Sequence, residues 1–243
     1  MANTKQQTYL TAMGVDVYVS RDLSAAPLRA ATTSADTALI TVTPVPAKVP
    51  MSADPANLDW DGLIQQVQQC TLCDLHATRT QTVFGVGRRN ASLMFIGEAP
   101  GAEEDRQGEP FVGPAGLLLN EMLRAINIQR ADVYIANILK CRPPGNRDPK
   151  LEEAAQCVAY LQRQIALIQP KLLVALGRIA AQRLLQTDIA LARLRLKQHQ
   201  SPEFNVPLIV TYHPAYLLRT PQDKRKAWED MLYINKSLQE ILN

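Results

Sequence analysis

Residues 92 to 101 read Ser92-Leu93-Met94-Phe95-Ile96-Gly97-Glu98-Ala99-Pro100-Gly101, and the order of chemistry within them decides the fold. The compact apolar run from Ser92 to Ile96 is too short for a stable helix and fits a buried strand. It stops at Gly97, and a carboxylate, a proline and a second glycine come directly after it. The same grammar recurs along the chain. Val133 to Asn137 reads as a second strand, Lys171 to Leu176 as a third closed by Gly177, and Pro207 to Tyr212 as a fourth. Between them lie segments of helical period: Leu58 to Gln69, Gly116 to Ala125, Leu151 to Ile168, Ile179 to Leu185, and about Gln222 to Leu242. In Gly116 to Ala125, Leu117, Leu118, Leu119, Met122 and Leu123 recur at helical spacing. Strands separated by helices predict an α/β protein, a three-layer α/β/α sandwich around a central, mostly parallel four-stranded sheet.

In such sheets ligands bind beyond the carboxyl ends of the strands, which directs attention to the loop leaving each strand. Gly97-Glu98-Ala99-Pro100-Gly101 leaves the first, and the run from Asn137 to Arg147 the second. The fourth enters His213-Pro214-Ala215-Tyr216-Leu217-Leu218-Arg219. One carboxylate, one carboxamide and one imidazole therefore gather at a single edge. An Asn amide offers a donor beside an acceptor, which matches the edge of a base, and a His donates to a carbonyl oxygen. The combination points to a flat polar heterocycle. Lys140, Arg142 and Arg147 cluster on one side, and Arg219, Lys224, Arg225 and Lys226 on another, either group suited to a phosphate backbone.

The 243 residues are 47% hydrophobic, enough for a sizeable core, and the net charge of +3 falls well short of a polycationic binder. No run of about 18 apolar residues suggests a membrane span, and Met1 to Gln7 does not open a signal peptide, so a cytoplasmic location is expected. Two regions differ in composition. Residues 1–56 carry no Cys, Trp or Phe, and Ser24 to Pro55 is rich in Ala, Thr, Ser and Pro, the mark of a flexible linker. Ahead of the linker, residues 8–21 hold a patterned piece that reads as a docking peptide. Residues 57–243 form the predicted domain.

All four cysteines lie between Cys70 and Cys157, as Cys70-x2-Cys73, Cys141 and Cys157. Four thiols are the number that closes a tetrahedral zinc or an iron–sulfur site, and a reducing compartment disfavours disulfides. His76 stands close enough in sequence to replace one ligand of a zinc. Spacing alone leaves zinc and an iron–sulfur cluster both open.

The Gly97 to Gly101 loop, Pro110-Phe111-Val112-Gly113, the Asn137 to Arg147 run and the His213 to Arg219 run, in this order and with these four cysteines, resemble the family 4 uracil-DNA glycosylases. The resemblance covers about residues 57–243. It implies a [4Fe–4S] cluster, with zinc as the alternative, on Cys70, Cys73, Cys141 and Cys157. It implies also that Asn137 pairs with uracil while Phe111 stacks on it, and that His213 stabilises the charge developing on uracil O2. Glu98 would position water or stabilise the sugar cation, Ala99 stands where the family 1 enzymes carry an Asp, and Glu104 would crowd the thymine methyl. Arg142, Arg147 and Arg219 are the expected DNA contacts, uracil-containing DNA the partner, and the nucleoid the place of work. Leu196 departs from the pattern, which has a small residue, commonly Gly, after Leu194-Arg195. The segment Tyr9-Leu10-x-x-Met13-Gly14-Val15-x-x-Tyr18-x-x-Arg21 is similar to the N-terminal peptide of the psi subunit of bacterial replicative clamp loaders, which implies a clamp-loader partner. On that reading the chain would be a glycosylase-like accessory with weak or lost catalysis.

Overall fold

The computed structural model describes residues 54–243. The extension and its docking segment at 8–21 lie outside the described residues. Six strands form one sheet: β1 (Val86–Gly87), β2 (Leu93–Gly97), β3 (Tyr134–Asn137), β4 (Leu172–Leu176), β5 (His199–Gln200) and β6 (Pro207–Thr211). Eight helices accompany them: α1 (Trp60–Gln68), α2 (Ala102–Gln107), α3 (Pro114–Ala125), α4 (Leu151–Ile168), α5 (Arg178–Leu185), α6 (Leu191–Leu194), α7 (Pro214–Arg219) and α8 (Lys224–Leu242).

The sheet order is β1-β3-β2-β4-β6-β5. The four expected strands are its parallel centre, and the two-residue strands β1 and β5 add antiparallel edges, giving six strands instead of four. The central strands are apolar at nearly every position because helices cover both faces. Met94 and Ile96 of β2 face α1, α4 and α5 together with Ala136, Leu173, Ala175, Leu208 and Val210. Leu93 and Phe95 face the other way, with Ile135, Leu172, Val174 and Ile209, against α3 and α8. Alternating side-chain direction along each strand thus divides the core into the two layers of a sandwich.

Local signals fix the helix starts. Asp59 accepts a hydrogen bond from the Gly62 N–H at 2.8 Å to cap α1, and Pro114 opens α3. Glu153 accepts from the Lys150 N–H at the start of α4 and from the guanidinium of Arg147. Among the described residues no helix is long and apolar enough to cross a membrane.

Leu196 adopts φ 54°, inside the left-handed region. That explains why a Gly is expected there, since a Cβ in this conformation meets its own backbone. The side chain is 46% exposed and returns little by packing. Leu196→Gly should therefore stabilise the fold by about 1 kcal/mol, read as a raised midpoint in chemical denaturation; an unchanged or lowered midpoint would contradict the strain.

Candidate active site

Parallel register sets the site. Gly97 at the end of β2 pairs with Asn137 at the end of β3, so the two strands deliver them side by side. A Cβ on Gly97 would come within 2.3 Å of Asn137 Oδ1 and 2.8 Å of Phe111 Cζ. Only a glycine lets the carboxamide and the ring approach there. Phe111 itself takes φ 55°, and its backbone lies so close to Gly116 that a Cβ there would be 1.8 Å from the Phe111 carbonyl oxygen. The start of α3 therefore clamps the loop that presents the ring.

Asn137 is 2% exposed, and its Oδ1 has no hydrogen-bond partner among the described residues. A buried carbonyl oxygen without a donor costs about 1–3 kcal/mol, and such atoms are uncommon in folded proteins. This one lies on the wall of a cleft that the ends of β2, β3, β4 and β6 share, lined by Glu98, Ala99, Glu104, Phe111, Asn137, His213 and Arg219 among others. The oxygen is placed for a ligand's N–H.

His213 caps α7: its Nδ1 accepts from the Ala215 N–H at 3.1 Å. That leaves Nε2 as the nitrogen that carries the proton in the neutral ring. Burial, reinforced by the charge of Arg219 and opposed by Glu104, pushes its pKa down from the usual 6.5 to about 4. The imidazole is therefore a neutral donor at pH 7. Its ring sits 5.5 Å, centroid to centroid, from that of Phe111 and tilted by 32°, so the two rings and the Asn137 amide bound one slot.

Glu98 comes straight after Gly97 and is half-buried. Desolvation, with the nearby Asp148 adding to it and Arg178 opposing it, raises its pKa to about 7. Glu104 lines the cleft with both oxygens engaged. Oε1 accepts from the N–H groups of Val112 and Gly113 at 3.0 and 3.1 Å, and Oε2 from Gly101 at 3.1 Å. It braces the Gly101 turn against the loop that holds Phe111.

The other expected residues divide. Arg219 lines the cleft. Arg147 also reaches it but forms a two-point ion pair with Glu153 at 2.9 and 2.5 Å, and Arg142 donates to Asn146 Oδ1 at 2.7 Å. Asp148, Arg178, Tyr212 and Tyr216 line the same cleft and were not singled out from the sequence. Arg178 comes directly after Gly177, so the rule of strand ends applied to the third strand points to it.

A second cavity brings together the four cysteines, with Arg79, Lys140 and Tyr160 beside them. Two of the sulfurs accept hydrogen bonds. Arg79 donates to Cys141 Sγ at 2.9 Å and the Lys140 N–H to Cys157 Sγ at 3.2 Å. Desolvation pushes the Cys157 thiol up to about 12 and raises Cys73 and Cys141. As bare thiols these groups stay protonated. Among the described residues no group of three or more His, Cys, Asp and Glu is drawn close enough for one metal ion. His76 turns instead to its own backbone, with Nδ1 2.8 Å from the Cys73 carbonyl oxygen.

Residues 84–232 match the family model described as the uracil DNA glycosylase superfamily. The chain is 44% identical over 182 residues to a type-4 uracil-DNA glycosylase of Archaeoglobus fulgidus, a match covering 72% of this chain and 92% of the relative. It is 38% identical over 180 residues to one of Pyrobaculum aerophilum, with 72% and 92% covered. Similarity to a type-5 uracil-DNA glycosylase of the same organism is lower, at 30% over 146 residues, with 54% of this chain and 64% of that relative covered.

Proposed function

This chain belongs to the type-4 branch of the uracil DNA glycosylase superfamily and is a DNA-repair hydrolase, and on that premise we propose that Asn137, Phe111, His213 and Glu98 carry uracil excision while Cys70, Cys73, Cys141 and Cys157 hold a [4Fe–4S] cluster. The single observation that carries the site assignment is the orphaned Oδ1 of Asn137, buried between Gly97 and Phe111 in a cleft that also holds His213.

The base leaves the stack and enters the slot. Phe111 stacks on its face, Asn137 Oδ1 accepts from the uracil N3–H, and the amide nitrogen donates to the adjacent carbonyl. As the C1′–N1 bond breaks, electrons move onto uracil O2, where the Nε2–H of neutral His213 meets the growing charge. Water adds to C1′ on the sugar, oriented by the Glu98 carboxylate, which also faces the positive charge of the ring oxygen, and the proton it sheds neutralises the departed uracil anion. Ala99 supplies no base of its own. Arg219 and the exposed cations of Lys224 to Lys226 face the strand.

Lowering the leaving-group charge is assigned to His213 and handling water to Glu98, so the two titrate separately. With the Glu98 pKa near 7, the carboxylate fraction grows through that pH. Single-turnover uracil release should rise as pH passes about 7 and then level, and Glu98→Gln should flatten the curve. A limb that persists unchanged in Glu98→Gln would assign it elsewhere.

Membership of the type-4 branch favours the cluster over zinc, and two features support a metal site at these cysteines. The four cysteines line one cavity, and a [4Fe–4S] cluster takes one thiolate on each iron. Arg79 at Cys141 and the Lys140 N–H at Cys157, moreover, are donors of the kind that steady anionic ligands. When bound, the cluster supplies a fixed point for the loop that runs from Asn137 to Cys141. A uracil-release assay on a defined oligonucleotide, with thymine and cytosine controls, tests the activity. Iron and acid-labile sulfide in brown, purified protein test the cluster, and colourless protein with stoichiometric zinc would replace it.

A further inference from the structure

Lys140 is 1% exposed, an unusual address for an ammonium. Its Nζ donates to the main-chain carbonyl of Asn137 at 2.8 Å and to Gln164 Oε1 at 2.6 Å. Gln164 is held in turn, its amide donating to the Phe84 carbonyl at 2.9 Å and lying 3.3 Å from the Tyr134 hydroxyl. The same lysine gives its own N–H to Cys157 Sγ at 3.2 Å and accepts at its carbonyl from Val83 at 2.8 Å. None of the ion pairs among the described residues involves it. A buried cation without a carboxylate needs a negative centre, and the sulfurs of the adjacent cavity are the ones at hand.

We propose that Lys140 is a positioning residue that ties base recognition to the sulfur site, its main-chain N–H anchored on Cys157 while its ammonium holds the backbone of Asn137. The ammonium is also the local counter-charge of the ligated sulfurs. This inference rests on the reading of Asn137 as the base-reading group. Its logic is geometric: Asn137 to Cys141 is one short loop, and Lys140 is the residue in it that bonds to both ends' functions. Met keeps most of the length of lysine without its charge, and Arg keeps the charge on a longer side chain.

The test compares Lys140→Met, Lys140→Arg and Gln164→Met with the wild-type holoenzyme. Three quantities are read: single-turnover uracil release, inhibition by free uracil, and the reduction potential of the cluster. Lys140→Met should slow release by about 10- to 100-fold, the range for losing a supporting partner, and weaken inhibition by free uracil. Loss of the positive charge should move the potential more negative, and Lys140→Arg should restore the potential in part. In an Asn137→Ala background, Lys140→Met should have little further effect on release, because it acts through that residue. Wild-type release and inhibition in Lys140→Met, or an undiminished loss in the Asn137→Ala background, would overturn the proposal. If Lys140→Met does not fold, Gln164→Met decides the matter: weakened inhibition by free uracil with full iron content supports it, and wild-type inhibition sinks it. Wild-type protein that releases no uracil would instead overturn the reading of the site itself.

Discussion

His213→Ala should lower single-turnover uracil release by about 10²- to 10³-fold, the loss typical of removing one preorganised donor to a developing oxyanion. The reason lies in how the ring is held. The Ala215 N–H occupies Nδ1, so Nε2 keeps its proton, and burial keeps the ring neutral down to about pH 4. A neutral donor of fixed direction stabilises charge on O2 without giving up a proton too early. The loss should fall on the chemical step, leaving affinity for uracil-containing DNA close to wild type. Glu98→Gln should cost no more than His213→Ala, since Ala99 leaves the site without the activating carboxylate of the family 1 enzymes and throws weight on leaving-group stabilisation. Abolished release in Glu98→Gln beside a mild defect in His213→Ala would reverse the two roles.

Burial of His213 also acts on stability. A histidine whose folded pKa lies below its unfolded value binds fewer protons in the native state. Its contribution is intact above about pH 6.5 and is lost progressively as pH falls towards 4, where the unfolded chain protonates and the folded one resists. His213→Ala removes this liability. Between pH 6.5 and 4 the variant should lose stability less steeply than the wild type, which denaturant midpoints across that range will show.

The four central strands were legible because burial on both faces leaves an unbroken apolar run, and Gly97 and Gly177 punctuate two of those runs. Helix α4 was legible over its full span, from Leu151 to Ile168, because eighteen residues repeat the helical period several times. What escaped were α2, α6 and α7, of four to six residues, too short for any period to register. The edge strands β1 and β5 escaped for the same reason. The loss matters, since α2 carries Glu104 and α7 is capped by His213. Roles that depend on distant partners were illegible as well. Lys140 reads as one more cation in a basic cluster until Gln164, on α4, is seen beside its ammonium, and nothing in the sequence pairs Arg147 with Glu153. Leu196 was visible as a departure from a pattern, whereas the left-handed backbone that explains the pattern was not.

Asn137→Leu should separate function from stability in opposite directions. Leucine is close to asparagine in shape and carries neither donor nor acceptor, so both hydrogen bonds to the base disappear. Sites built to pair with a polar edge discriminate by large factors when a partner is removed, and uracil release should fall by about 10³-fold or more. Folding should respond the other way. In the free protein Oδ1 is buried and unpaired, and replacing it with a methyl group relieves a desolvation cost of about 1–3 kcal/mol. The main-chain carbonyl that Lys140 holds is untouched by the change. A raised melting temperature with lost activity is the signature of a polar group kept for a ligand at the expense of the fold. An asparagine serving only to bind loop backbone would show the reverse, with a lowered melting temperature and release little changed. Gly97→Ala supplies the complementary case: its methyl group would stand 2.3 Å from Oδ1 and 2.8 Å from the Phe111 ring, so activity should fall although no polar group has been removed. Equal activity in Gly97→Ala and wild type would mean that the approach of Asn137 to Phe111 is not what recognises the base.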